Sequence, residues 1–350
     1  MPVRRLEAIF ALNPKGANLR RGLEVVGFLL LPLIVLGLLH KERYWLSLSF
    51  AALFVGMSDP GGVYRDRVRE MAWVAIVGTL LTAIGFAIGG GPWGWVVVSA
   101  FVVTLLSGLA LKFGVHRFTS AAMLNSWFLV ALTVPAGQHL DRAHSDWSGQ
   151  ALAWLIGAAL WIGLTFVVWL VKGRTEHASN FPEIPGDITV TTLSRNAVMF
   201  AVIRAVAVTG AIAIAFGFHL PNADWMPIAT LAAMKGTLDQ TSLVAEQRLI
   251  GALIGAVVAA VFLMTVQSKH VLEAVIIVLA SLAATLRGVN YAIYCAAMAA
   301  LVLIAIDVSH PANLKAEADR VLFTLAGVGI AWLVMLLADR LQRSSAQRAT

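Results

Sequence analysis

Apolar runs of bilayer length recur along this chain, and that recurrence constrains the fold more than any motif. Spanning about 30 Å of hydrocarbon takes roughly 20 helical residues. Runs near that length occupy 22–39, 45–58, 71–88, 93–111, 118–135 and 151–171 in the first half, and 197–218, 225–234, 249–266, 271–286, 291–306 and 321–338 in the second. Of the 350 residues, 59% are hydrophobic and 13% charged, with a mean hydropathy of +0.82. A soluble domain runs about 45–50% apolar and about 25% charged, so lipid must solvate most of this surface. The same composition excludes disorder, collagen, a coiled coil and a secreted disulfide scaffold. The single cysteine, Cys295, lies in an apolar run and leaves no intrachain disulfide or thiolate metal site. The sequence predicts an all-α polytopic membrane protein.

Two runs, 45–58 and 225–234, are too short for a full crossing and read either as short helices or as re-entrant segments. The basic residues arbitrate, because cytoplasmic loops collect Lys and Arg. With twelve spans, 19 of the 26 Lys+Arg fall on the N-terminal side and 6 on the other, with Arg204 inside a span. With ten spans the division is 12 against 13, which is no bias. Twelve spans follow, with both termini cytoplasmic. The net charge of +7 is thereby assigned to cytoplasmic loops rather than to nucleic acid. The N-terminal run has no small-residue cleavage site and reads as a retained first span.

The sequence also repeats itself. Trp45, Gly56 and Asp59 are matched at an offset of 180 by Trp225, Gly236 and Asp239. Arg69 and Arg248 each open the next apolar run, which carries Gly78 in one case and Gly251 and Gly255 in the other. Asn125 and Asn290 are read as opening matching spans, and GQALAWLIGAALW (149–161) parallels DRVLFTLAGVGIAW (319–332). Six spans per half give both halves the same orientation, hence two parallel repeats: 1–175, a linker 176–195, and 196–350. The second and eighth helices are expected to be short or broken.

The stretch DWMPIATLAAMKGTLDQTSLVAEQRLIGALIGAVVAA (224–260) resembles the fusaric acid resistance and aromatic acid exporter family, with its Trp-led short helix, polar break, Arg and Gly-rich helix. NYAIYCAAMAALVLIAID (290–307) and the 319–332 segment resemble that family's closing helices. The resemblance implies proton-driven efflux of aromatic carboxylates across a bacterial inner membrane, beside a periplasmic adaptor protein. Larger members carry cytoplasmic domains after each six-helix block, where this chain has a linker of about 24 residues.

Chemistry is sought first at the matched breaks, GMSDPGG (56–62) and MKGTLDQTS (234–242), because interrupted helices at corresponding positions of a repeat point to the binding site. Asp59 and Asp239 read as proton carriers, with Asp307 a third candidate, and Lys235 as a counter-charge for an anionic substrate. The alternative is punctuation, in which each Gly ends one helix and each Asp caps the next. Arg204, about two turns into its span, reads either as a carboxylate ligand or as a side chain snorkelling to the headgroups. Arg248 is a weaker candidate of the same kind. Asn290 and Tyr291, with Asn125, are candidate substrate hydrogen-bonders or interhelical ties. Trp225 and Trp45 suit an interfacial aromatic belt or a stack on an aromatic ligand. His139, Asp141, His144 and Asp146 share one external loop, read as solvated rather than as a metal centre. No cofactor is expected: no phosphate-binding loop is present, and no nucleophile with a neighbouring base supports an enzyme. The expected function is a proton-coupled exporter of small organic anions, with a passive anion channel or a membrane scaffold as alternatives and a homo-oligomer compatible with all three.

Overall fold

The computed structural model describes residues 11–137, 146–174, 195–218, 220, 225–234, 242–307, 319 and 322–334, and regular structure among them is helical apart from a single bridge residue. In chain order the helices are α1 (Leu19–Leu38), α2 (Trp45–Met57), α3 (Tyr64–Ile88), α4 (Trp93–Leu109), α5 (Val115–Gly137), α6 (Trp147–Val171), α7 (Arg195–Gly217), α8 (Trp225–Ala233), α9 (Ser242–Thr265), α10 (Lys269–Leu286), α11 (Tyr291–Asp307) and α12 (Leu322–Val334). Among the described residues, 5 stretches are long and apolar enough to cross a membrane: Tyr64–Ile88, Trp93–Phe113, Trp147–Val171, Ala197–Gly217 and Lys269–Leu286. They mark a multi-pass membrane protein. Val25–Leu38, Ile250–Thr265, Tyr291–Ala305 and Leu322–Val334 are shorter apolar helices.

Most helix ends coincide with the ends of apolar runs, as at Trp45, Ile88, Trp93, Val171, Leu286 and Tyr291. The largest departures are seven residues, at α9, which begins at Ser242 and not near 249, and at α3, which begins at Tyr64 and not near 71. Its opening YRDRVRE is charged and escapes a hydropathy scan, yet Arg and Glu are good helix formers. Both short runs are short helices: α2 has 13 residues and α8 has 9, roughly 20 and 14 Å at 1.5 Å per residue.

Close helix pairs come in matched sets. α1 packs on α2 and α10, as α7 packs on α8 and α4. α3 packs on α5 and α9 on α11; α4 packs on α5 and α10 on α11; α2 packs on α3 and α8 on α9. Shifting the labels by six, with the second half wrapping onto the first, carries each of these pairs onto its mate. The sixth helix of each half also meets the short helix at a glycine. A Cβ added at Gly157 of α6 would lie 2.1 Å from the Leu48 carbonyl oxygen of α2, and one at Gly327 of α12 would lie 2.3 Å from the Met226 carbonyl oxygen of α8. Small residues are what let helix backbones approach this closely. One expected match fails: Asn290 directly precedes α11, whereas Asn125 lies in the middle of α5. The hydropathy of 118–135 carried no signal to fix that position.

The bundle has two chemically different ends. The end where α1 begins gathers, among the described residues, Arg20, Arg65, Arg67, Arg69, Lys112, Arg117, Lys172, Arg174, Arg195 and Arg287. The opposite end carries Lys41, Arg43 and Lys269.

Candidate functional site

The break between α2 and α3 lies at the basic end. Its turn requires Gly61 and Gly62 at φ 70° and 82°, a left-handed region that glycine enters without a Cβ penalty. Asp59 Oδ1 accepts hydrogen bonds from the Gly61 amide (3.0 Å) and from Arg67 Nε (2.8 Å), and Oδ2 accepts from Arg67 Nη2 (2.6 Å). The first turn of α3 thus grips the carboxylate of the break with two parallel charge-assisted bonds. The two side chains are only 14% (Asp59) and 23% (Arg67) exposed, so water screens the pair weakly. Neighbouring helices hold it in place. The Arg67 guanidinium lies 5.9 Å from the Tyr64 ring centroid, Tyr64 stacks on Trp169 of α6 at 4.7 Å, and His116 Nε2 of α5 donates to the Ser58 carbonyl (3.0 Å). Arg117 donates to Glu70 at 2.7 Å, tying α5 to α3.

Two expectations about this break are corrected. Asp59 does not cap α3, whose N-cap is Val63 with no side-chain bond; it closes its own turn and pairs with Arg67. Gly56 does not end α2. It is buried inside the helix, and a Cβ there would lie 2.6 Å from the Trp161 ring, so it is glycine to admit that indole.

Beside the break is a small, partly open cleft of about 20 Å³, room for about one water molecule. Gly56 and Met57 of α2, Trp161 of α6, Arg287 just beyond α10, and Tyr294 and Met298 of α11 are among the residues lining it. The Arg287 guanidinium lies 5.9 Å from the Tyr294 ring centroid, and Tyr294 stacks on Tyr291 at 5.8 Å.

Arg204 of α7 is 1% exposed, with its guanidinium 5.4 Å from the Phe118 ring centroid. It is enclosed by protein, which corrects the snorkelling alternative. Trp45 and Trp225 are each 4% exposed and belong to the interior rather than to an interfacial belt. Trp45 Nε1 donates to the Leu29 carbonyl (3.4 Å), while Trp93, Trp95 and Trp147 are the exposed tryptophans at helix starts. Asn290 Oδ1 accepts from the Ile293 amide (3.0 Å) and caps α11, and its Nδ2 donates to the Ala11 carbonyl (2.9 Å). Asn125 bonds to Thr104 across α5 and α4 at 3.3 Å. Lys235, Asp239, His139, Asp141 and His144 lie outside the described residues, as do the side chains of Arg248 and Asp307.

At the opposite end, Asp146 caps α6 by accepting from the Gly149 amide (3.2 Å), pairs with Arg43 (3.1 Å) and accepts the Tyr44 hydroxyl. The Tyr44 hydrogen bond holds the Asp146 carboxyl below its ordinary range, helped by the Gly149 amide, Arg43 and Lys41. The same bond raises the Tyr44 phenol, with burial acting in the same direction. Ser47 Oγ donates to Gln150 Oε1 at 2.5 Å, so the starts of α2 and α6 are pinned together. Sequence reasoning missed Arg67 and Arg287. Arg67 is eight residues from Asp59 across a turn, and Arg287 carries no spacing signal. The ring four residues into α11 was the available clue.

Residues 209–334, from within α7 to the end of α12, match the family described as fusaric acid resistance protein-like. No curated protein and no solved structure gives a significant match.

Proposed function

We propose that this chain is a secondary transporter of a bacterial inner membrane that exports small organic anions against proton entry, its two six-helix halves (1–175 and 196–350, joined by 176–195) rocking about their shared interface. The observation that carries this reading is the doubled short helix. α2 and α8 occupy corresponding places in matched sets of helix pairs, each clamped at a glycine by the sixth helix of its half. Helices interrupted at matching positions are where carriers with internal repeats bind cargo. The match over 209–334 supports export as the class of function. The basic end, carrying the α2–α3 break, then faces the cytoplasm with the two termini.

In this mechanism, an anion enters from the basic end and meets guanidinium groups in an apolar lining. A proton arriving on Asp59 removes the charge that Arg67 holds, releasing the α2–α3 turn, and Asp239 serves the second break in the same way, with Asp307 as a further relay. Trp225 and Trp45 brace the short helices from inside, and Lys235, Arg204, Arg248, Asn290 and Tyr291 are the remaining cargo-side candidates. A periplasmic adaptor and a second copy of the chain are the partners this reading admits. The test is purified protein in liposomes with an imposed pH gradient and a panel of labelled organic acids. Uphill accumulation that vanishes in Asp59→Asn/Asp239→Asn is the expected result. Flux that only equilibrates, with no proton dependence, assigns a channel instead.

A further inference from the structure

The charges at the start of α3 divide by face. Arg67 turns inward to Asp59, and Glu70 receives Arg117 of α5. Arg65 and Arg69 are exposed, and among the described residues neither makes a hydrogen bond or an ion pair. The same stripe of the helix continues through Trp73, Ile76 and Leu80, each more than half exposed. At about 100° per residue these five positions fall within about 80° of one another. The two arginines stand one turn apart, where like charges repel, and near a helix N-terminus, where the dipole disfavours cations. Asp66, in the first turn of α3, is the carboxylate beside them and offsets the charge of one arginine, not of both. Two exposed cations that the fold neither pairs nor favours, set above a Trp and an aliphatic stripe, are matched to something outside the chain.

We propose that this stripe binds an anionic phospholipid of the leaflet at the basic end, with the headgroup phosphate on Arg65 and Arg69 and an acyl chain along Trp73, Ile76 and Leu80. Depth supports the assignment. Along the helix, Arg69 stands roughly 6 Å and Arg65 roughly 12 Å beyond Trp73, at 1.5 Å per residue. The headgroup layer is about 5–8 Å thick on each side of the hydrocarbon, and tryptophan settles at its boundary. Arg69 is then level with the phosphates and Arg65 with their outer edge. Helix side chains lean toward the N-terminus, which in α3 is away from the hydrocarbon, so both guanidinium groups stay among the headgroups. A guanidinium meets phosphate oxygens in pairs. At the opposite end of the bundle Arg43 and Lys269 are taken up by Asp146 and Glu42, so the preference belongs to one leaflet. The site does not depend on what the chain carries.

The experiment is binding of fluorescent short-chain phosphatidylglycerol, with zwitterionic phosphatidylcholine for comparison, to the full chain in neutral detergent micelles at low ionic strength. The wild type is expected to prefer phosphatidylglycerol by about tenfold or more. Arg65→Gln and Arg69→Gln are each expected to weaken phosphatidylglycerol by about fivefold and to leave phosphatidylcholine unchanged, and the double variant to remove most of the preference. Arg65→Lys/Arg69→Lys keeps the charges and is expected to retain most of it, which separates lost charge from lost fold. Lys112→Gln/Arg195→Gln removes two other exposed charges of the same end and is expected to leave the preference in place. No preference in the wild type, or one unchanged in Arg65→Gln/Arg69→Gln, overturns the proposal. So does an equal loss in Lys112→Gln/Arg195→Gln, which assigns the preference to the overall charge of that end. Competition by soluble glycerol phosphate as effective as by the lipid, or a change of oligomeric state in Arg65→Gln/Arg69→Gln, gives the face to a free phosphate or to a second copy of the chain and overturns it as well.

Discussion

The matched helix pairs on the two sides of the chain are filled differently. In the first half, the space between the short helix and its neighbours is packed with rings. Phe50 stacks on Trp127 at 5.2 Å, Trp127 lies 5.0 Å from Trp154, and Phe54 meets Trp154 edge-on at 6.2 Å. The matching positions of the second half are Thr230 for Phe50, Met234 for Phe54 and Thr324 for Trp154, all buried. Thr230 spends its hydroxyl on the Met226 and Gly327 carbonyls, at 2.8 and 3.0 Å. Gly157 and Gly327 each meet a carbonyl of the neighbouring short helix, so close backbone approach recurs while the filling beside it differs. A ring-filled half resists rearrangement because packed aromatic cores lose much on opening. The half with small hydroxyl-bearing side chains is the one suited to repack, and it is the half that matches the fusaric acid resistance protein-like family.

That contrast breaks most visibly at Trp154. Trp154→Ala is expected to cost about 3–5 kcal/mol, as for other large buried aromatics, while Thr324→Ala is expected to cost under about 1 kcal/mol. Unfolding in detergent followed by tryptophan emission or cysteine accessibility separates them, and equal costs would dissolve the distinction between the halves. The shared scaffold is sharpened by Gly157→Ala and Gly327→Ala. Each inserts a methyl group against a carbonyl of the short helix and is expected to cost about 1–3 kcal/mol, with similar values for the two because the contacts are alike in kind. Arg67→Ala is expected to cost about 1–2 kcal/mol by leaving Asp59 without its bidentate partner. Arg67→Lys should recover only part of it, since an ammonium cannot make both bonds.

A smaller effect is read through pH. The Asp146 carboxyl is held low in the folded chain, chiefly by Tyr44. Its contribution is therefore present above the unfolded carboxylate range, near about pH 4, and is lost as pH falls through the depressed folded value. Asp146→Asn should flatten that acid limb while leaving the neutral-pH difference modest, and Tyr44→Phe should do the same in part. The smallest expected change is at Glu42, whose carboxyl is lowered by Lys269. Both side chains are over a third exposed, so Glu42→Gln should cost well under about 1 kcal/mol.

The helices were largely legible because lipid imposes a long apolar run, and a run ends where a Trp, a Gly or a charge intervenes. Trp45 and Trp225 announced their short helices, and the offset of 180 between them carried the matched packing. What hydropathy could not show was polar helix and polar contact. The charged start of α3 looked like loop, and Arg67 looked like one more cytoplasmic cation until the turn at Gly61 and Gly62 brought it back over Asp59. Burial of Trp45 and Trp225 was hidden for a related reason: position near a helix end does not reveal whether lipid or protein lies alongside. Arg204 was placed in a span correctly, but its enclosure depends on Phe118 and α4, far away in sequence.

The central claim, that two matched halves rock against each other, is tested most directly by distances at the two ends of the bundle. In a Cys295→Ser background, spin labels at Arg69→Cys and Arg195→Cys report across the halves at the basic end, and labels at Gly94→Cys and Gln267→Cys report at the other; all four sites are exposed. Measured in nanodiscs with and without benzoate at acidic and neutral pH, one distance is expected to lengthen as the other shortens. Distances that stay fixed at both ends, or that change in the same direction, would contradict a rocking carrier.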